Sequence, residues 1–181
     1  KPRRGQFEVA LVAGLRKVKD PLRCAYAVRT LPKTSRLHLT HYGPALDDAL
    51  ASRASELSDA LPRYAWHGAR TRGATRLLLG RARALCVPSR SEGGANVVSE
   101  AIAAELPIVC SDVPGNLGVL GEDWPARFAV GDTRGLRELL LRLERDEGFS
   151  ATLRERIRGL QHSVSPAKER GAWAEVFDAC F

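Results

Sequence analysis

The chain has 181 residues, 44% of them apolar, enough for one domain with a proper core and too few for two comfortable ones. Charged residues at 27% exclude a disordered chain, and no window approaches the about 18 consecutive apolar residues of a membrane span. The net charge of +7 is carried mostly by arginines spread along the chain and interleaved with acids, and the aromatics (6%) do not alternate with them as a base-stacking platform requires. The surface therefore reads as Arg-rich and solvated, not as a nucleic-acid binder.

The opening Lys1-Pro2-Arg3-Arg4-Gly5 has no apolar stretch behind its charges and is not read as a secretory signal. It lacks a Met, as expected of a fragment or a processed chain. Short apolar runs then alternate with longer amphipathic stretches. Strands are predicted over residues 7–13, 37–42, 64–67, 84–88, 107–110 and 126–130. Helices are predicted between them over 20–31, 47–60, 71–83, 97–105 and 132–145, the last with Leu136, Leu139, Leu140 and Leu143 on one stripe. Strands buried on both faces read as continuous apolar runs and helices supply the crossovers, so the fold class is α/β, a doubly wound, Rossmann-like parallel sheet. Asp20-Pro21 is expected to cap the first helix and Asp132 the Leu-rich one. Past residue 145 a helical tail follows, over 149–160 and 166–181. The whole reads as one domain, a sheet over 7–145 and a tail over 149–181.

The cysteines (Cys24, Cys86, Cys110, Cys180) lie far apart, with no C-x-x-C pair and no histidine at ligand spacing. They read as buried, reduced thiols of a cytoplasmic protein rather than as a zinc site or a disulfide framework.

The stretch that carries chemistry is residues 88–105, P-S-R-S-E-G-G-A-N-V-V-S-E-A-I-A-A-E. It runs from the carboxyl end of a predicted strand into a helix, where open parallel sheets bind their ligands. Gly93 and Gly94 let the backbone approach a ligand closely. Asn96 is placed to cap the helix, whose first N–H groups make an anion site suited to a diphosphate. Glu92 and Glu100 frame the loop and can accept hydrogen bonds from sugar hydroxyls. Glu92 as a surface charge and Glu100 as a dipole partner is the other reading, and spacing alone leaves both open. Arg16, Lys17 and Lys19 follow the first strand, where they either meet the same anion or form a solvated charge run. There is no Walker lysine and no G-x-G-x-x-G in the first turn. His67 reads as a structural residue rather than a base.

These residues resemble a known family. Glu92 and Glu100, followed by Ala101-Ile102-Ala103-Ala104 and Leu106-Pro107-Ile108-Val109, are similar to the E-x-x-x-x-x-x-x-E signature of retaining glycosyltransferase family 4. Trp66-His67-Gly68-Ala69, Val87-Pro88-Ser89, Ser111-Asp112-Val113-Pro114-Gly115 and Val130-Gly131-Asp132-Thr133 fall in the family's order, so the resemblance covers roughly residues 7–145. Within the family, V-K-D-P at 18–21, E-G-G-A-N-V-V-S-E-A at 92–101 and P-G-N-L-G-V-L-G-E-D at 114–123 look like selenosugar synthases.

The resemblance implies the C-terminal, donor-binding lobe of a two-lobed GT-B enzyme, with the N-terminal acceptor lobe expected to be absent from this chain. It implies UDP-N-acetylglucosamine as donor and selenophosphate as acceptor, in selenoneine biosynthesis. Other acceptors, or a non-catalytic nucleotide-binding module, are the alternatives. Glu92 would face the donor sugar, and Gly93 with the N–H groups of Gly94, Ala95 and Asn96 would line the sugar and diphosphate. Glu100 would hold the ribose hydroxyls, Lys19 would neutralise the diphosphate, and Gly68 and Ala69 would meet the nucleobase. No metal or other cofactor is expected. Three positions depart from the family. Ala13-Gly14 stands where Gly-Arg is usual, so a phosphate-binding arginine is lost; either Arg16 replaces it or the acceptor's chemistry does not need it. Gly94 stands where an aromatic is common, and Gly118 where a Glu is. The tail would pack on the absent lobe through Trp173, Val176, Phe177 and Phe181.

Overall fold

The computed structural model describes residues 5–93 and 96–164. Six strands, β1 (Phe7–Val12), β2 (Leu37–Tyr42), β3 (Tyr64–Trp66), β4 (Ala84–Val87), β5 (Ile108–Ser111) and β6 (Arg127–Phe128), form one sheet in the order β3-β2-β1-β4-β5-β6. Every pairing is parallel. Between them run α1 (Leu22–Arg29), α2 (Asp48–Ala60), α3 (Arg72–Arg81), α4 (Asn96–Ala103) and α5 (Pro114–Leu120), followed by α6 (Thr133–Arg145) and α7 (Glu147–Leu160). Right-handed crossovers place α1 and α2 on one face and α3, α4 and α5 on the other. α6 packs on α1, and α7 passes from α6 to α4. The doubly wound reading holds. No helix among the described residues is long and apolar enough to cross a membrane.

The helix starts follow local chemistry. Asp47, Asp132 and Asp146 each accept a backbone N–H three residues on, from Leu50, Gly135 and Phe149. Leu136, Leu140 and Leu143 are buried as the stripe predicted. Asp20 corrects the expectation of a cap. Its backbone is left-handed (φ +41°), and its carboxylate accepts from Arg23 Nε at 3.1 Å and from a second Arg23 nitrogen at 3.0 Å. The helix itself begins at Leu22, without a side-chain cap. α5 was not predicted, because Pro-Gly-Asn reads as a turn; Pro114 instead occupies the first helical turn, where its missing N–H costs nothing.

β4 and β5 are buried along their whole length, as continuous apolar runs should be. β2 is different. Leu37, Leu39 and His41 are buried on one face; on the other, buried Thr40 and half-buried His38 and Tyr42 line a hollow of about 310 Å³ with Glu8 and His67. α3 crosses over β1, so no helix among the described residues covers this part of the sheet.

His41 ties the carboxyl edge together. Its Nε2 lies 2.9 Å from the Ala13 carbonyl and must donate to it, so Nδ1 accepts from the Tyr64 hydroxyl at 2.9 Å. Burial drives its pKa down to about 4, with His67 adding a smaller push and the Ala13 hydrogen bond opposing. The unfolded chain takes up this proton near pH 6.5 and the folded chain only near pH 4. The stabilisation is therefore complete above pH 6.5 and lost as pH falls toward 4, by up to about 3 kcal/mol. Denaturant unfolding at pH 7 and pH 4.5 should show that loss in the parent and little of it in His41→Gln. An equal loss in both would remove His41 as the cause.

Cys24, Cys86 and Cys110 are buried free thiols, with Cys24 and Cys86 Sγ 2.8 Å apart. Burial pushes Cys86 well up and Cys110 to about 12. Cys180, Gly94, Ala95 and the second tail helix with Trp173, Val176, Phe177 and Phe181 lie outside the described residues.

Candidate functional site

β1 and β4 are neighbours whose chains leave toward opposite sides of the sheet, so their exits flank the topological switch point. After β1, Leu15 is held to the next loop by its N–H on the Pro44 carbonyl, and Lys17–Lys19 form a 3-10 turn. After β4 comes the loop of residues 88–93. The two exits are zipped together. Arg90 N–H donates to the Val18 carbonyl at 2.8 Å, and the Arg90 guanidinium lies 3.4 Å from the Asp20 carboxylate.

The centre of this junction is an ion pair. Lys19 Nζ donates to both carboxylate oxygens of Glu92, at 2.8 and 2.6 Å. The Glu92 side chain is only 5% exposed, so it is not the surface charge of the alternative reading, while Lys19 keeps 32% open to solvent. An ammonium has three N–H donors, and Glu92 engages two oxygens. Lys19 can therefore offer its third to an anion in the crevice without releasing Glu92.

A buried polar chain stands behind the carboxylate. Ser89 Oγ donates to Glu92 Oε1 at 2.5 Å, and Ser111 Oγ donates to the Ser89 carbonyl at 2.5 Å. Asn116 Nδ2 donates to the Ser111 carbonyl at 3.0 Å and to its hydroxyl at 3.2 Å. Ser89, Ser111 and Asn116 are all buried, and Asn116 Oδ1 has no partner among the described residues. Sequence reasoning passed over all three. The available signal was a serine at the carboxyl end of each of two adjacent, otherwise apolar strands. Gly115 completes the support: a Cβ there would sit 1.9 Å from the Glu92 carbonyl oxygen, so only glycine lets α5 approach this closely.

The other expected residues are placed as follows. Arg16 is exposed at the start of the 3-10 turn. Gly93 is exposed at the end of the described loop, and α4 begins at Asn96 itself. Asn96 is thus a first-turn residue of the helix it was expected to cap. The helix start still lies at the carboxyl edge, beside the switch point. Glu100 is half-buried and lines a separate hollow of about 350 Å³ with Arg76, Leu79, Ala103 and Ala104. No ion pair among the described residues joins it to Lys19. Gly68 uses its freedom at φ +68°, and its carbonyl accepts the Gly43 N–H at 2.9 Å, leaving Ala69 exposed at the same edge. His67 is exposed and meets the Tyr42 ring edge-on. No three His, Cys, Asp or Glu among the described residues gather as metal ligands would.

Residues 2–159 match the family described as "Glycosyl transferases group 1". A relative from Xenopus tropicalis, "Glycosyltransferase 1 domain-containing protein 1", is 27% identical over 111 residues, 61% of this chain and 32% of that protein. Among solved structures, Anabaena Alr3699/HepE in complex with UDP and glucose superimposes with a TM-score of 0.83 at 16% identity, covering 97% of this chain and 49% of that one. The UDP-forming alpha,alpha-trehalose-phosphate synthase of Burkholderia xenovorans, in complex with glucose-6-phosphate, gives 0.79 at 15% identity, covering 96% and 44%. The fold is thus that of one lobe of these proteins, and the chain spans less than half the length of each of these relatives.

Proposed function

The chain belongs to the glycosyl transferase group 1 family, and we propose that it is the donor-binding lobe of a two-lobed sugar transferase, holding a UDP-sugar in the crevice between β1 and β4. The observation that carries this reading is the Lys19–Glu92 pair, a cation with a donor to spare held at the switch point by a buried carboxylate. Lys19, Arg16 and the first N–H groups of α4 meet the diphosphate. Glu100 takes the ribose hydroxyls, and the main chain at Gly68 and Ala69 meets the nucleobase. Glu92 holds Lys19 and faces the donor sugar beyond Gly93.

In the transfer, the bond from the sugar's anomeric carbon to the diphosphate oxygen breaks as the acceptor bonds to that carbon, and UDP leaves with the electron pair. The charge developing on UDP is what Lys19, Arg16 and the helix amides stabilise, without a metal ion. The acceptor comes from a second lobe, so this chain alone binds donor and transfers nothing. The resemblance of the segments at 18–21, 92–101 and 114–123 to selenosugar synthases is what suggests UDP-N-acetylglucosamine as donor and selenophosphate as acceptor. A selenium already anionic near neutral pH needs little help from a general base.

The test removes the pair as a unit. In Lys19→Met/Glu92→Gln no buried charge is left unpaired, yet the diphosphate loses a charge-assisted hydrogen bond of about 1.5–3 kcal/mol. UDP should bind roughly ten- to a hundredfold more weakly, with uridine unaffected. Unchanged UDP affinity would overturn the assignment.

A further inference from the structure

The net charge is not spread evenly. Between Asp59 and Glu92 there is no acidic residue, and this stretch holds Arg63, Arg70, Arg72, Arg76, Arg81, Arg83 and Arg90. The remaining 21 cations of the chain balance its 21 carboxylates, so these seven arginines account for the whole +7. Three have structural work. Arg63 donates to the carbonyls of Pro32, Lys33 and Ser35; Arg81 pairs with Glu8; and Arg90 faces Asp20.

The other four follow α3 from end to end. Arg70 precedes the helix, with its guanidinium over the Tyr42 ring; Arg72 and Arg76 lie one turn apart along it; and Arg83 lies two residues past its end. All four are exposed, and no ion pair among the described residues includes any of them. Beside them Leu77 is 75% exposed, while Leu78 and Leu79 are buried beneath the helix.

We propose that α3 and its flanks dock on the anionic headgroups of a lipid bilayer, as a peripheral contact. Charge complementarity names the occupant. A protein partner needs a desolvated apolar centre, and this surface offers one leucine. A single-stranded nucleic acid calls for aromatic side chains on which its bases stack, and α3 carries none. A headgroup layer needs neither: it attracts dispersed cations and receives a single apolar side chain between them.

Co-sedimentation of the chain with vesicles tests this. Vesicles of phosphatidylcholine containing phosphatidylglycerol should bind it, and pure phosphatidylcholine vesicles should not. Raising the salt should release the chain. Arg72→Glu/Arg83→Glu should weaken the binding at least about tenfold with the thermal midpoint unchanged. Leu77→Ser should weaken it severalfold without altering the salt dependence. Equal binding to both vesicle types, or parent-like binding by the charge-reversed variant, would overturn the proposal. So would binding to single-stranded DNA or an acidic protein that needs these arginines while anionic vesicles are ignored.

Discussion

Gly115→Ala should unfold the chain several degrees early and detach the loop that carries Glu92. The added methyl would lie 1.9 Å from the Glu92 carbonyl oxygen and 2.5 Å from its carbon, and both obstacles are backbone. Neither side yields easily. The Glu92 loop is held by Arg90 on Val18 and by Lys19, while α5 is held through Asn116 on Ser111. Overpacking of this kind costs about 1–3 kcal/mol or more, roughly 2–4 °C of melting temperature per kcal/mol at this size. Gly118, one turn later on the same helix, is the control, since a Cβ there meets nothing within 4 Å. Gly118→Ala should be neutral or stabilising by up to about 1 kcal/mol. If calorimetric melting found the two variants alike, α5 would not be clamped against the loop.

What the sequence disclosed about the fold was whatever is written locally. Asp132 caps the helix start that its chemistry predicts, and the unbroken apolar runs of β4 and β5 are buried on both faces. Asp20 failed because its neighbours decide its role: with Arg23 and Arg90 in reach, its carboxylate serves an ion cluster and not a helix end. β2 stands where the sequence placed it, at Leu37–Tyr42, and only the hollow on one of its faces was hidden, since that depends on α3 crossing over β1. α5 was hidden by a composition that favours turns when no packing is considered.

The site was legible in its parts and not in its assembly. Lys19 and Glu92 each stood out, as a cation after the first strand and a carboxylate before a glycine pair. They are 73 residues apart, and nothing local says that one neutralises the other. The chain of Ser89, Ser111 and Asn116 was harder still, because small polar residues at strand ends are common and only burial gives them meaning. The charge was misread in the same way. The acids outnumbered by arginines between Asp59 and Glu92 are not few but absent, which an average over the chain conceals.

Calorimetric titration of UDP and a UDP-sugar into the parent chain and two carboxylate variants tests the account's centre, because the two carboxylates have different duties. Glu100, apart from the ion pair and one turn into α4, would hold the ribose hydroxyls that both ligands carry. A hydrogen bond to a charged group is worth about 1.5–3 kcal/mol, so Glu100→Gln should weaken both ligands roughly ten- to a hundredfold. Glu92 is held by Lys19 and Ser89 and would meet only the sugar. Glu92→Gln keeps the shape of the loop and leaves Lys19 to the diphosphate, so UDP affinity should stay within about threefold of the parent while the UDP-sugar loses at least about tenfold. If the parent binds and both variants bind both ligands within about twofold of it, the crevice between β1 and β4 is not the donor site.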